Sequence, residues 1–327
     1  MDSRPLLSLG LDLDNLWAYQ KIHGDSGWET YPSYLPTLVP IVLEVAREHA
    51  VRMTVFIVGQ DAAIERNAGP LRSLAEAGHE IGNHSFRHEP WFHLYSRSEI
   101  ESEIRSAEES IEKATGRRPV GFRGPGFSLS PDTLRVLVDR GYRYDCSTLP
   151  TFLGPLARTY YFWKSRGMSD ADREKRSRLY GSLSDGLQPI DAYSWSVAGR
   201  RLVELPVTTM PGPRLPFHLS YLLFLRRYSR AVAWAYFRTS LALCRINGIV
   251  PSYLLHPLDL LGGDRVPELA FFPGMDLATG AKIEFLHDIL DHLGSTYRIV
   301  TLEEHARVVA SRPAGSVRRV KEELILE

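Results

Sequence analysis

A parallel α/β architecture is predicted for this chain by three observations. Strand-like and helix-like segments alternate through roughly the first 150 residues, the pattern of a sheet with helical crossovers. The strand-like segments are short apolar or β-branched runs, the kind that is buried in a sheet. The length of 327 residues, 44% of them hydrophobic, is enough for one sizeable core, and α/β barrels of this size are often one domain.

The elements follow in order. Residues 6–13 form an apolar run that reads as a buried strand. Residues 36–50 read as a helix, with Leu38, Ile41, Val42 and Val45 on one side, and 53–58 as a β-branched strand. Residues 70–77 are helical and stop at Gly78. Glu80-Ile81-Gly82-Asn83 leads into a histidine pair. Ser98, with Glu101 three residues on, has the form of a capping box opening a helix that runs to about Ala114 and stops at Thr115-Gly116. Residues 120–123 form a short strand, Ser130-Pro131-Asp132 starts a helix ending near Gly141, and 142–146 is a strand. The pattern then breaks. Residues 151–194, aromatic and basic, read as an insertion. A strand returns at 202–207, helices at 215–246, a strand at 249–255, a helix at 279–294, a strand at 297–300 and a short helix at 303–311. The expectation is one domain over 1–311, with insertions at about 151–194 and 215–246, and a peripheral tail over 312–327.

Lys+Arg and Asp+Glu both number 39, so the net charge is zero and a strongly basic nucleic-acid footprint is absent. Two cysteines, Cys146 and Cys244, make no disulfide framework and read as small buried residues. The first five residues run straight into a strand, which leaves no room for a signal peptide, and no 18-residue apolar run occurs. A cytoplasmic protein is therefore expected.

Four residue groups carry the chemistry. Asp12 and Asp14, two apart at a strand end, can project to one side. One can ligate a metal while the other takes a proton from water, although aspartates at strand ends also serve caps and turns. His84 and His88 are four apart, a spacing that on a helical turn puts both rings on one face to chelate one ion. With a carboxylate they complete a facial triad with open positions, suited to zinc or another late first-row metal. Nearby His79 and His93 read as bystanders. Arg123, before Gly124-Pro125-Gly126-Phe127, can make a bidentate contact to Asp12, and the Gly126 N–H can face a developing oxyanion. His256 ends the apolar strand that includes Leu254, and a histidine there can protonate a leaving amine. Asp145 is one partner for its second ring nitrogen; Asp259 competes by proximity in sequence.

In this order, the groups resemble the motifs of the polysaccharide deacetylases of the NodB-homology type, carbohydrate esterase family 4. His84-Ser85-Phe86-Arg87-His88 matches the His-Ser-x-x-His motif, Arg123-Gly124-Pro125 the Arg-x-Pro motif, and Leu255-His256 the late Leu-His. The resemblance covers about residues 5–150 and 200–305. It implies a distorted (β/α)7 barrel with the site at the strand ends, here with aromatic-rich helical insertions. It implies Asp12 as base, Asp14, His84 and His88 as ligands of one divalent metal (zinc first, cobalt or nickel next), Arg123 as the residue orienting the base, and His256 as general acid. Asp145 is added as partner of that acid, and Gly126, Phe127 and Leu254 as oxyanion or substrate contacts. Asp-Leu-Asp-Asn replaces the common adjacent aspartates. It looks more like the branch of cytoplasmic peptidoglycan-deacetylase-like proteins and lipid-linked aminoarabinose deformylases. Gly126-Phe127 stands where many members have Tyr-Gly.

The activity implied is hydrolysis of an N-acetyl or N-formyl group on an amino sugar, free, polymeric or polyprenyl-linked. The greasy 215–225 run, the arginines Arg226, Arg227, Arg230 and Arg238 and the aromatic 152–163 run add an expectation of peripheral contact with the inner membrane face, against buried helices or an oligomer interface. Two other readings compete: a hydrolase of non-sugar or cyclic amides on the same scaffold, and a catalytically silent carbohydrate-binding protein. The complete acid, base and ligand set argues against the second.

Overall fold

The computed structural model describes residues 3–153 and 186–311, together with the backbone of Val317–Arg319. Strand β1 (Leu6–Leu13) is the centre of the sheet and is buried on both faces over seven of its eight residues, as a parallel sheet covered on both sides requires. It pairs in parallel with β2 (Thr54–Ile57) on one side and β8 (Ser252–Leu255) on the other; β9 (Arg298–Val300) pairs with its first half. From β2 the sheet continues through β3 (Glu80–Asn83), β4 (Gly121–Phe122), β5 (Tyr144–Asp145) and β7 (Arg200–Glu204), all parallel. The path β7-β5-β4-β3-β2-β1-β8 is the curled seven-strand parallel sheet expected of a distorted (β/α)7 barrel.

An antiparallel hairpin extends it. Strand β6 (Tyr193–Val197) folds back on β7 through Ala198-Gly199, both at positive φ, the geometry of a tight two-residue hairpin turn. The sequence reading assigned no strand to 193–197. The last strand, β10 (Val317–Arg319), pairs with β6, so part of the tail expected to be peripheral lies at the sheet edge.

The crossover helices before the hairpin are α1 (Leu16–His23), α2 (Leu35–Glu48), α3 (Gly59–Ala63), α4 (Glu65–Glu76), α5 (Arg97–Thr115) and α6 (Pro131–Asp139). Helix α5 is capped by Ser96, whose hydroxyl accepts the Glu99 N–H while Glu99 reaches back to the Ser96 N–H. The capping box thus sits two residues before the Ser98/Glu101 pair that has the same spacing. The earlier start lets Ile100, Ile104, Ala107 and Ile111 line one buried face. Gly59 marks a close approach of α3 to α5: a Cβ there would meet the Ala107 Cα at 2.5 Å.

The 215–246 segment folds as α7 (Leu219–Arg226) and α8 (Arg230–Ile246), followed by α9 (Thr279–Thr296) and α10 (Leu302–Ala310). Phe217, Leu219, Leu222, Leu223, Ala233, Phe237 and Leu241 are buried in the main core with α2 and α9. Most of the greasy run therefore packs on the sheet. Phe224, Tyr228 and Val232 remain exposed, and Arg227 and Arg230 are paired with Asp276, Glu284 and Asp288. The 151–194 insertion, with most of the 152–163 aromatic run, lies outside the described residues apart from its ends. Cys146 and Cys244 are buried free thiols. No described helix is long and apolar enough to cross a membrane.

Candidate active site

The site lies at the C-terminal ends of β1, β3, β4 and β8, where ligand sites of parallel sheets collect. Asp12 sits inside β1 opposite Phe56, and Asp14 just beyond the strand. Asn15 then caps α1 through the Leu16 N–H, so the chain turns away directly after the second carboxylate. Tyr19 donates to Asp14 Oδ2 at 3.2 Å and the Tyr34 hydroxyl to the Asp14 carbonyl.

His84 and His88 converge on Asp14. Their Nε2 atoms lie 3.2 and 3.0 Å from Asp14 Oδ1, and the three residues offer ligand atoms within 4.8 Å of one another. Sequence spacing suggested a helical turn, but 84–88 is an irregular loop, with Ser85 and His88 at positive φ. The loop is held from outside. Asn83 accepts the Ser85 N–H, buried Glu103 on α5 accepts the N–H groups of Phe86 and Arg87, and the Ser85 and Phe86 carbonyls accept from Gly59 and Gln60. The His84 Nδ1–H donates to the Arg123 carbonyl at 2.6 Å, which fixes the tautomer and turns Nε2 toward Asp14. Burial pushes the Asp14 carboxyl up, but His88 and His84 together outweigh it and hold it well below its usual range. Burial opposes the charged form of His84; Asp12 and Asp14 reverse this and raise it.

The donor set fits one late first-row divalent ion: two buried imidazoles and a half-buried carboxylate, convergent on one point. Asp14 Oδ1 and His88 Nε2 are buried and, although 3.0 Å apart, are in hydrogen-bond geometry neither with each other nor with another group. Buried polar atoms are normally satisfied, so an ion is the natural partner for these.

Asp12 is the neighbouring free carboxylate. Arg123, fully buried, donates to Asp12 Oδ1 from Nη1 at 2.6 Å and to the Cys146 carbonyl from Nε at 3.2 Å. The contact is single rather than bidentate, because the second arm of the guanidinium is spent on β5's end. Its Cζ lies 4.4 Å from the Phe56 ring centroid. Burial alone would lower the Arg123 pKa; Asp12 more than compensates and raises it.

His256 follows β8 and places Nε2 3.9 Å from Asp12 Oδ2. The expected pairing of its other nitrogen with Asp145 does not occur. His256 Nδ1 faces Ser220 Oγ at 3.3 Å and Asp259 Oδ2 at 3.9 Å, and the His256 N–H donates to the same Asp259 oxygen. Asp259 reaches the ring because a short 3-10 turn, Pro257–Asp259, folds it back, and buried Lys282 pins that turn through the Leu258 and Leu261 carbonyls. Asp145 instead accepts the N–H and Oγ–H of Ser147, whose Oγ accepts the Gly124 N–H. Glu204, its neighbour in register on β7, lies beside it; burial and then Asp145 push the Glu204 carboxyl up. Asp145 thus braces the loop that carries Arg123.

The remaining expected contacts divide. Gly126 is exposed at positive φ, with its backbone at the surface of the loop. Phe127 is also at positive φ, half-buried, and spends its N–H on the Gly124 carbonyl. Leu254 is fully enclosed opposite Gly10, so its side chain does not face a substrate. His79 accepts the Met53 N–H and His93 bonds Ser128, both away from the triad.

Asp61 gave no sequence signal. Its Oδ1 accepts from Asn15 and from the Trp17 indole at 2.7 and 2.9 Å, anchoring the turn after Asp14. Burial, opposed by those two bonds, pushes its carboxyl up to about 7. Only the fold brings a residue of α3 under that turn.

The polysaccharide deacetylase family profile matches residues 25–144, which include His84, His88 and Arg123 but neither Asp12, Asp14 nor His256. The chitooligosaccharide deacetylase of Azorhizobium caulinodans is 30% identical over 185 residues, 55% of this chain and 82% of that protein. The peptidoglycan deacetylase of Helicobacter pylori is 26% identical over 151 residues, 44% of this chain and 50% of that one. A peptidoglycan-N-acetylglucosamine deacetylase of Bacillus cereus is 30% identical over 112 residues, 33% and 49%. The chain thus spans about half the length of these last two. Among solved structures, one from Mycobacterium smegmatis, provisionally named a polysaccharide deacetylase, aligns over 99% of this chain and 96% of its own at TM-score 0.64 and 20% identity. The allantoinase PuuE aligns over 96% and 92% at TM-score 0.55 and 16% identity, so the fold alone does not select the amide. Four-fifths of a chitooligosaccharide deacetylase is matched at 30% identity, and the family profile covers the histidine loop and the arginine: this chain belongs to the polysaccharide deacetylase family.

Proposed function

We propose that the protein is a metal-dependent hydrolase that removes an N-acetyl or N-formyl group from an amino sugar. The observation that carries this is the juxtaposition of a convergent Asp14-His84-His88 triad, both its histidines buried, with a separate acid–base pair, Asp12 and His256, 3.9 Å apart. Asp14, His84 and His88 would hold the ion, zinc before cobalt or nickel. When bound, it supplies the positive charge that acidifies a water and polarises the acyl carbonyl. Asp12 takes the proton of the attacking water at Oδ2, the oxygen left free by Arg123. Arg123 holds that carboxylate and aims it. His256, oriented by Asp259 and Ser220, delivers a proton from Nε2 to the departing amine. One site thus needs two groups of opposite proton roles, and Asp12 and His256 fill them.

The lipid-linked substrate and the contact with an inner membrane face rest on a smaller surface than the greasy sequence suggests: Phe224, Tyr228 and Val232, beside arginines paired with acids. One assay tests substrate and setting together. Acetate and formate release is measured with zinc-loaded protein on N-acetyl and N-formyl amino sugars, as soluble oligomers and as polyprenyl-linked sugars in anionic vesicles. Release from any of these is expected. No release from any of them by a preparation that opens a cyclic amide would overturn the reading, and faster turnover of the soluble form would remove the membrane from it.

A further inference from the structure

His218 belongs to none of the family motifs, yet it borders the site. It occupies the N-cap position of α7, with extended backbone angles, and its carbonyl accepts the Tyr221 N–H at 3.0 Å. Its side chain makes no capping bond, although Ser, Thr, Asp or Asn would stabilise the helix there. The residue is 5% exposed. Its ring lies 5.5 Å from the His256 ring, centroid to centroid and inclined by 55°, and packs edge-on against Tyr221 at 4.8 Å. Its Nδ1 is buried without a hydrogen-bond partner. A buried imidazole that neither caps nor bonds is costly to keep unless something satisfies it when the protein works.

Its surroundings fix its form. Burial first, then the positive charges of His256 and Arg123, hold it well below the usual histidine range, so it is neutral. A neutral imidazole both donates and accepts a hydrogen bond, which suits a hydroxyl group. The neighbouring His256 serves the leaving nitrogen, so the substrate atoms within reach of His218 are those next to that nitrogen.

We propose that His218 is a substrate-binding residue that hydrogen-bonds a sugar hydroxyl beside the leaving amine, supplied by the α7 segment rather than by the shared motifs. The inference rests on the amino-sugar reading above and deepens it: this segment would select hydroxyl-bearing amides over simple ones.

The test uses the full chain, loaded with zinc, and the N-acetylglucosamine trimer, with the glucosamine trimer as product. KM, kcat, product affinity by calorimetry and Tm are compared for wild type, His218→Phe and His218→Asn. His218→Phe is expected to raise KM and weaken product binding by about tenfold each, the size of one lost hydrogen bond, with kcat changed less and Tm not lowered. His218→Asn, which keeps a donor and an acceptor, recovers part of both. Unchanged KM and product affinity in His218→Phe, with an active wild type, would overturn this inference alone. So would equal losses in both variants accompanied by a lowered Tm, since that is a packing role. A wild type that neither binds the product nor releases acetate or formate from the trimer or from any of the amino sugars named above would overturn the amino-sugar reading and this inference with it.

Discussion

Replacing Asp12 by asparagine is expected to leave bound metal near the wild-type level while lowering kcat by roughly 10²- to 10⁴-fold, the usual contribution of a positioned general base. The separation follows from the geometry. Asp14, His84 and His88 form the donor cluster, and Asp12 is held outside that set by Arg123 at 2.6 Å. Asparagine keeps the size and one oxygen for Arg123 but has no basic oxygen for a proton. Elemental analysis and steady-state kinetics on the same preparation check this. Loss of metal together with activity would mean that Asp12 is a ligand, and the division of labour between the two aspartates would have to be reversed.

Arg123→Met is expected to have the largest effect on stability. Arg123 is 1% exposed, and Asp12, its partner, is 4% exposed. Removing one member of a buried pair leaves an uncompensated charge and costs about 3–5 kcal/mol. For a chain of this size that is on the order of 10 °C in Tm. The variant also loses the bond to the Cys146 carbonyl and the packing on Phe56. Adding Asp12→Asn removes the orphaned charge, so Arg123→Met/Asp12→Asn should recover part of the loss. Thermal unfolding of the single and double variants measures the coupling. A double variant less stable than Arg123→Met would show that the loss comes from packing rather than from the charge left on Asp12.

The parts of this protein that were legible in sequence are those whose signal is local. Strand β1, with its apolar run ending in two aspartates, and the His-Ser-x-x-His loop carry their chemistry in consecutive residues. The seven-strand parallel order followed from the alternation of elements and from the family resemblance. The misses are of other kinds. The histidine spacing fits a helical turn as well as the observed loop. Only the fold shows that Asn83 and Glu103 hold Ser85 and His88 in a loop at positive φ. The partner of His256 was open between Asp145 and Asp259, because a strand-end aspartate and one three residues on both fit. The 3-10 turn pinned by Lys282 decides for Asp259. The β6–β7 hairpin was missed because Ala198 occupies a positive-φ turn position where Asn or Gly is the usual signal. The greasy 215–225 run reads alike as a lipid-facing or a core segment. Burial of Phe217, Leu219, Leu222 and Leu223 places most of it in the core.

The central claim is that Asp14, His84 and His88 hold a metal ion. The most direct measurement is elemental analysis of the purified chain, after reconstitution with zinc, beside the His84→Ala/His88→Ala variant. The account predicts close to one equivalent of zinc, cobalt or nickel in the wild type and essentially none in the variant, with both folded by circular dichroism. No metal in the wild type after reconstitution, or equal metal in the two proteins, would contradict it.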